Sequence, residues 1–152
     1  MVLSRQASGK HAELKVASEL IGMGLEVYFP FVDASGTDLL VRVERKGKAK
    51  HYDIQVKSVR GYNVPVGLPR SKVEAKGTNF ILILAFLHKG KQDEFYYLTR
   101  DQLLKLLPPN AEYQSRQYLE KWGDIRFGKE ERESFKGQNL EGLAQMLTTG
   151  KL

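Results

Sequence analysis

Apolar and polar residues alternate along Asp53–Val59, a pattern that predicts a β-strand with one buried face. Side chains two positions apart on a strand point to the same side, so we expect Gln55 and Lys57 to project together and their apolar neighbours to face the other way. A second short apolar strand is predicted to begin at Asp38 and to run to Val43. The pattern therefore brings an acid, an amide and an amine together from two neighbouring strands.

A helix is predicted over Gly9–Ile21, because Val16, Ala17 and Leu20 recur on one side at helical spacing. Glu13 lies on this same apolar side. A carboxylate within a buried stripe costs free energy unless another group binds it. This position makes Glu13 a candidate functional residue.

The rest of the pattern predicts strands at 25–29, 80–87 and 95–98, a helical turn near 71–76, a helix capped by Thr99, and a last helix from Asn139 to Leu147. This order indicates an α/β protein with a mixed central β-sheet flanked by helices. We expect a single domain over residues 1–152, with a core at about 9–107 and a C-terminal helical extension at about 110–152.

Composition narrows the class of protein. The 152 residues carry a formal net charge of +6, which favours an anionic partner, nucleic acid first and a membrane surface second; many soluble proteins are also mildly basic. The absence of cysteine excludes disulfides and thiolate zinc sites. The longest apolar run, Phe80–Leu87, is too short to cross a membrane, and the N-terminus lacks the apolar core of a signal peptide, so we expect a cytoplasmic protein.

The singled-out residues suit metal-dependent hydrolysis of a phosphodiester. Asp38 can supply a ligand oxygen to a hard cation, Gln55 a neutral one, and the backbone carbonyl of Val56 a third. Lys57 can orient the attacking water or neutralise charge that develops on the phosphate. Glu13 can bind the metal directly or through water.

The order Gly9-x-x-x-Glu13 on a first helix, then Asp38, then Gln55-x-Lys57, resembles the PD-(D/E)XK nuclease superfamily. Within it, the chain is most similar to archaeal Holliday-junction resolvases and to the Mrr-type restriction nucleases, which carry the Q-x-K variant. The resemblance covers roughly residues 9–60. It implies an α-β-β-β-α-β core, Mg²⁺ or Mn²⁺ bound by Asp38 and position 55, and Lys57 as the catalytic lysine.

Two features depart from that superfamily. Gln55 stands where most members have an acid, which removes a negative charge and should weaken metal affinity. The segment after Lys57 shows little of a long second core helix, so 60–79 is expected to form a substrate loop or an insertion. Other interpretations of these residues stay open: Asp38 as a turn acid, Gln55 and Lys57 on an exposed sheet face, and Glu13 in a buried ion pair with Lys57.

Basic residues are dense beside the predicted strands, and we expect the following to contact DNA: Arg42, Arg45, Lys46, Lys48 and Arg60. For Lys46 and Lys48 a solvated hairpin tip explains the pattern equally well. The favoured function is a Mg²⁺- or Mn²⁺-dependent DNA endonuclease, acting as a homodimer on branched or structured DNA. The alternatives are a non-catalytic nucleic-acid-binding module and an interaction scaffold on the same fold.

Overall fold

The computed structural model describes residues 3–32, 35–107, 113–114 and 121–150. Its helices are α1 (Arg5–Gly22), α2 (Arg70–Glu74), α3 (Arg100–Leu106), α4 (Lys129–Ser134) and α5 (Leu140–Thr149). Its strands are β1 (Glu26–Tyr28), β2 (Leu39–Arg45), β3 (Lys48–Val59), β4 (Pro65–Pro69), β5 (Phe80–Phe86), β6 (Glu94–Thr99), β7 (Tyr113–Gln114) and β8 (Lys121–Arg126). No helix of this described part is both long and apolar enough to cross a bilayer.

The main sheet has the strand order β1-β2-β3-β5-β6, in which β3 and β5 are parallel and the other neighbours antiparallel. A parallel pair needs a crossover connection, and here β4 and the short helix α2 supply it in place of a long helix. The mixed sheet with flanking helices confirms the predicted α/β class. The helical turn predicted near 71–76 corresponds to α2.

Each face of the main sheet covers its own hydrophobic core. On one face, Ile54 and Val56 pack with α1 and α5, whose buried residues include Val16, Leu20 and Leu143. The other face is covered by α2, α3 and strands β4 and β8. Since Gln55 and Lys57 alternate with Ile54 and Val56 along β3, their side chains lie on this second face.

The segment expected to be a helical extension also contains strands. In the described residues, β8 pairs with β4 and with β7, forming a three-stranded antiparallel sheet, and only then do α4 and α5 follow. The helical expectation for 121–126 is therefore wrong. The strand lacks a clean alternation in sequence, and it is stabilised by pairing with a partner more than fifty residues away.

Capping side chains begin α3 and α5 at the residues that the sequence predicts. Thr99 and Gln102 form a reciprocal capping box at the start of α3, and the Asn139 side chain accepts a hydrogen bond from the backbone of Gly142 at the start of α5. The sequence also favours an end of α3 at Pro108 and Pro109, which lie outside the described residues.

Candidate active site

Asp38 stands immediately before β2 and is tied to β3. Its backbone N–H donates to the Ile54 carbonyl (2.9 Å), and its Oδ2 accepts a hydrogen bond from the Val56 N–H (2.7 Å). The backbone pairing of the two strands ends at Leu39 and Ile54. Beyond that point, the Asp38 carboxylate takes the place of a backbone carbonyl as the acceptor for the Val56 N–H of β3. One oxygen of Asp38 is thereby fixed beside the backbone between Gln55 and Lys57.

Gln55 and Lys57 lie side by side on β3, both half-buried. Within the described part of the chain, neither side chain is hydrogen-bonded or ion-paired to another residue. Because both are half-buried, they do not lie on a fully exposed sheet face, and without such partners their polar ends are available to a ligand. The open interpretation of a Glu13–Lys57 ion pair is also wrong, because the Glu13 carboxylate pairs with Lys10.

Glu13 reaches these residues around the edge of the sheet. Its helix packs on the opposite face, but β3 extends beyond the end of β2, and the first half of α1 lies along the edge left open there. The Glu13 side chain is 14% exposed. Residues from both faces consequently line one depression.

This depression, which we call the catalytic cleft, has a volume of about 700 Å³. All five residues singled out for metal or catalytic chemistry line it: Glu13, Asp38, Gln55, Val56 and Lys57. Arg5 and Arg60 add positive charge to its walls. The cleft thus combines two carboxylates with three cationic side chains.

The donors in the catalytic cleft are hard oxygens, the type that Mg²⁺ and Mn²⁺ prefer. No group of three or more His, Cys, Asp or Glu side chains suited to a metal is present among the described residues. A cation here would therefore bind to a mixed set: the Asp38 and Glu13 carboxylates, the Gln55 amide and a backbone carbonyl. The residues fit such an ion, with less negative charge than an all-carboxylate site.

A second depression, the lysine cleft, shares Gln55 and Lys57 with the first and extends towards α2. Lys72 and Lys76 line it. The Lys76 ammonium donates to the Ser35 carbonyl (2.7 Å), which ties the turn after α2 to the loop that leads into Asp38. Sequence reasoning overlooked these two lysines, although a spacing of four residues would place them on one side of the helical turn predicted near 71–76.

The predicted DNA-contacting residues do not form one surface. Arg60 lines the catalytic cleft, whereas Arg45, Lys46 and Lys48 lie together at the β2–β3 hairpin tip. Strand β2 has seven residues, so the tip is about 20 Å from Asp38. Strand β2 therefore carries Arg45, Lys46 and Lys48 away from the candidate metal ligands, to the far end of the sheet.

Arg42 is engaged on the sheet. Its guanidinium pairs with Glu26 (2.8 Å) and Glu44 (3.0 Å), and the hydrogen bonds to Glu26 and then to Glu44 raise the pKa of Arg42. Much of its charge is therefore balanced. Its contact with DNA stays a prediction, as do those of the hairpin residues.

Beyond β3, Tyr62 anchors the segment that leads to Val64 on the cleft wall. The Tyr62 hydroxyl donates to Glu94, and the Arg132 guanidinium lies 3.6 Å from the Tyr62 ring centroid. His88 Nε2 (2.8 Å) and the Tyr96 hydroxyl (3.3 Å) also hydrogen-bond Glu94. Burial raises the pKa of Glu94, but the hydrogen bonds from Tyr62, His88 and Tyr96 outweigh burial, and the net pKa is lowered.

Comparison with known proteins gives the class of fold. No protein-family model matches the chain, and no curated protein matches it in sequence. Among solved structures it is similar to I-Ssp6803I, a bacterial homing endonuclease, with a TM-score of 0.54 and 18% identity over 97% of this chain and 95% of that one. The chain has the fold of an endonuclease.

A second similar structure is Hjc from Archaeoglobus fulgidus, a Holliday junction resolvase of an archaeal hyperthermophile. The TM-score is 0.49 and the identity 16%, over 90% of this chain and 95% of that one.

Proposed function

We propose that this protein is a PD-(D/E)XK-type endonuclease that hydrolyses phosphodiester bonds of DNA with Mg²⁺ or Mn²⁺. The observation that carries the proposal is the meeting of Glu13, Asp38, Gln55 and Lys57 in one cleft, with the last two unpaired within the described part of the chain. The basic walls of the cleft and the net charge of +6 support an anionic polymer as substrate.

Each residue has a role in this proposal. Asp38 and Gln55 would hold the metal, with the Val56 carbonyl and Glu13 as further oxygen ligands. When bound, the ion supplies Lewis acidity and lowers the pKa of water. The Lys57 ammonium donates hydrogen bonds to the scissile phosphate and its attacking water, and it neutralises charge that builds up on the phosphate oxygens. Arg5 and Arg60 hold the flanking backbone.

One observation favours a second candidate, a DNA-binding module without catalysis on the same fold. Position 55 carries an amide, and no cluster of three acidic or imidazole ligands occurs in the described residues. Metal affinity is then lower than with a third carboxylate. The two candidates differ in one property, which is metal-dependent strand cleavage.

Two substitutions at Asp38 test the proposal. Asp38→Asn removes the charge but keeps an oxygen that can accept the Val56 N–H, so we expect loss of cleavage with little loss of stability. Asp38→Ala also removes that acceptor and should lower the free energy of unfolding by about 1–3 kcal/mol. Nicking of supercoiled and branched DNA with Mg²⁺ or EDTA, beside urea unfolding, measures both. Cleavage by Asp38→Asn at the wild-type rate would refute the metal role.

Symmetric cleavage of two strands needs two active sites, so the proposed active form is a homodimer. Light scattering of the protein with and without DNA measures this directly. A purely monomeric protein that cuts both strands would contradict it.

A further inference from the structure

The lysine cleft has the composition of a nucleotide-binding site. Its volume is about 580 Å³, within the range of about 300–1,000 Å³ that is usual for ligand pockets. Its floor is apolar and includes Leu68, Val73 and Phe80, each almost fully buried. Lys57, Lys72 and Lys76 provide its charge, and none of the described lining residues is acidic. An apolar floor under cationic side chains suits a flat heterocycle that carries a phosphate.

Its position relates the lysine cleft to the reaction. Gln55 and Lys57 line both clefts, so the two depressions meet at the side chains assigned to the metal and to the scissile phosphate. Whatever lies in the lysine cleft is therefore the immediate neighbour of that phosphate. In a polynucleotide, this neighbour is the adjoining nucleotide.

Lys76 and Gly36 shape two walls of the lysine cleft. The Lys76 ammonium holds the Ser35 carbonyl (2.7 Å) on one side and lies 5.2 Å from the Phe80 ring centroid on the other. Gly36, at φ +69°, has no side chain, and a Cβ there would come within 3.6 Å of the Gln55 amide nitrogen. The left-handed backbone at Gly36 favours glycine, so no side chain stands beside Gln55 at this wall.

We propose that the lysine cleft binds one unpaired nucleotide of the DNA strand, next to the phosphate that is cut. This inference rests on the proposed nuclease function and specifies its substrate class. A nucleotide in a duplex is stacked and paired. To enter the cleft it must first leave the stack, which costs a few kcal/mol. A bulge, gap, flap or branch point already offers an unpaired nucleotide, and Lys72 and Lys76 bind its phosphate.

The test is a binding measurement in EDTA, which does not depend on cleavage. The probes are a fluorescein-labelled duplex with a single-nucleotide bulge and the fully paired duplex of the same sequence. We expect wild type to bind the bulged DNA about tenfold more tightly. Lys72→Glu removes a phosphate contact and Ala75→Trp fills the cleft, and each should reduce this preference to less than about twofold.

Lys91→Glu is the matched charge control, because Lys91 is exposed in the β5–β6 turn and lines neither cleft. It should weaken both DNAs equally and keep the preference. Circular dichroism and thermal unfolding verify that both cleft variants fold, and two unrelated substitutions guard against the failure of one.

The outcomes separate this inference from the nuclease proposal. An equal affinity of wild type for both DNAs, or an unchanged preference in both cleft variants, would overturn the nucleotide site even if the protein cleaves DNA. A bulge preference that both variants abolish supports the site even if no cleavage is detected with Mg²⁺ or Mn²⁺.

Discussion

Asp38 shows how one residue can serve structure and chemistry together. Its Oδ2 completes the hydrogen bonding of β3 at Val56, which orients the carboxylate beside Gln55 and Lys57. A turn acid and a metal ligand are thus compatible interpretations of the same side chain. The half-buried Gln55 and Lys57, with no partner in the described part of the chain, complete the arrangement.

Gln55→Glu tests the unusual amide at the residue scale. The added carboxylate should tighten Mg²⁺ binding by about 1 kcal/mol and preserve cleavage, because it adds charge to an oxygen ligand set without changing its size. Nicking rates against Mg²⁺ concentration measure the shift. Gln92→Glu, an exposed amide in the β5–β6 turn that lines neither cleft, is the control. An unchanged or higher Mg²⁺ requirement in Gln55→Glu would argue against position 55 as a ligand.

Alternation predicted the shared face of Gln55 and Lys57, because β-strand geometry is local. It could not predict that α1 reaches the cleft around the end of β2. That approach depends on where β2 stops relative to β3, whereas the Lys10–Glu13 pair is a local contact within α1. Lys72 and Lys76 were overlooked because α2 has only five residues and ends before Lys76, so the segment gives a weak periodic signal.

At the scale of elements, the segment between β3 and β4 is held by the polar network around Glu94. Tyr62, His88 and Tyr96 all hydrogen-bond this carboxylate, and burial followed by the Glu94 charge raises the pKa of Tyr96 to about 12. The network fixes the backbone that continues to Arg60 and Val64 on the cleft wall.

The loss of stability caused by Glu94→Gln should depend on pH, because the network is stabilised by the ionised Glu94 carboxylate. The folded state lowers the pKa of Glu94, so its stabilisation is present above the unfolded pKa of about 4.3 and is lost as the pH falls through the folded value. Wild type should exceed Glu94→Gln in unfolding free energy by about 1–2 kcal/mol near neutral pH, and the gap should close in acid. Urea unfolding at several pH values measures it, with Glu130→Gln as control. A gap that does not change with pH would contradict the account.

The hairpin tip tests the predicted DNA contacts outside the cleft. Reversing Lys46 and Lys48 to Glu should weaken binding to all DNA sequences alike and reduce its salt dependence, because phosphate contacts carry no sequence information. Titrations at several salt concentrations measure both effects, and the double reversal of Lys89 and Lys91 is matched in charge. Equal effects of the two double variants would assign the hairpin to the solvated surface.

Elements with local signals were predicted well, and those that depend on distant pairing were not. The Thr99–Gln102 capping box predicted the start of α3, and the helix begins there in the structure. Strand β8 was missed because its partner β4 contains Gly67 and two prolines, residues that disfavour strands. Its pairing comes from the tertiary fold.

At the scale of the whole molecule, one group of basic residues lies at the pair of clefts and another at the hairpin tip, and the two groups are at opposite ends of β2. A separation of about 20 Å lets one polymer contact both. The net charge of +6 predicted an anionic partner, but composition cannot predict this division. The main sheet is mixed because β3 and β5 are parallel, whereas its other neighbouring strands are antiparallel.

The central claim is that this nuclease fold carries a working active site, and Lys57→Ala tests it most directly. Nicking of supercoiled and branched DNA in Mg²⁺ is measured beside DNA affinity in EDTA, for wild type, Lys57→Ala and the control Lys91→Ala. We expect cleavage by wild type and Lys91→Ala, none by Lys57→Ala, and similar affinity in all three, because one lysine adds little to a distributed phosphate contact. Equal cleavage by wild type and Lys57→Ala would contradict the catalytic assignment.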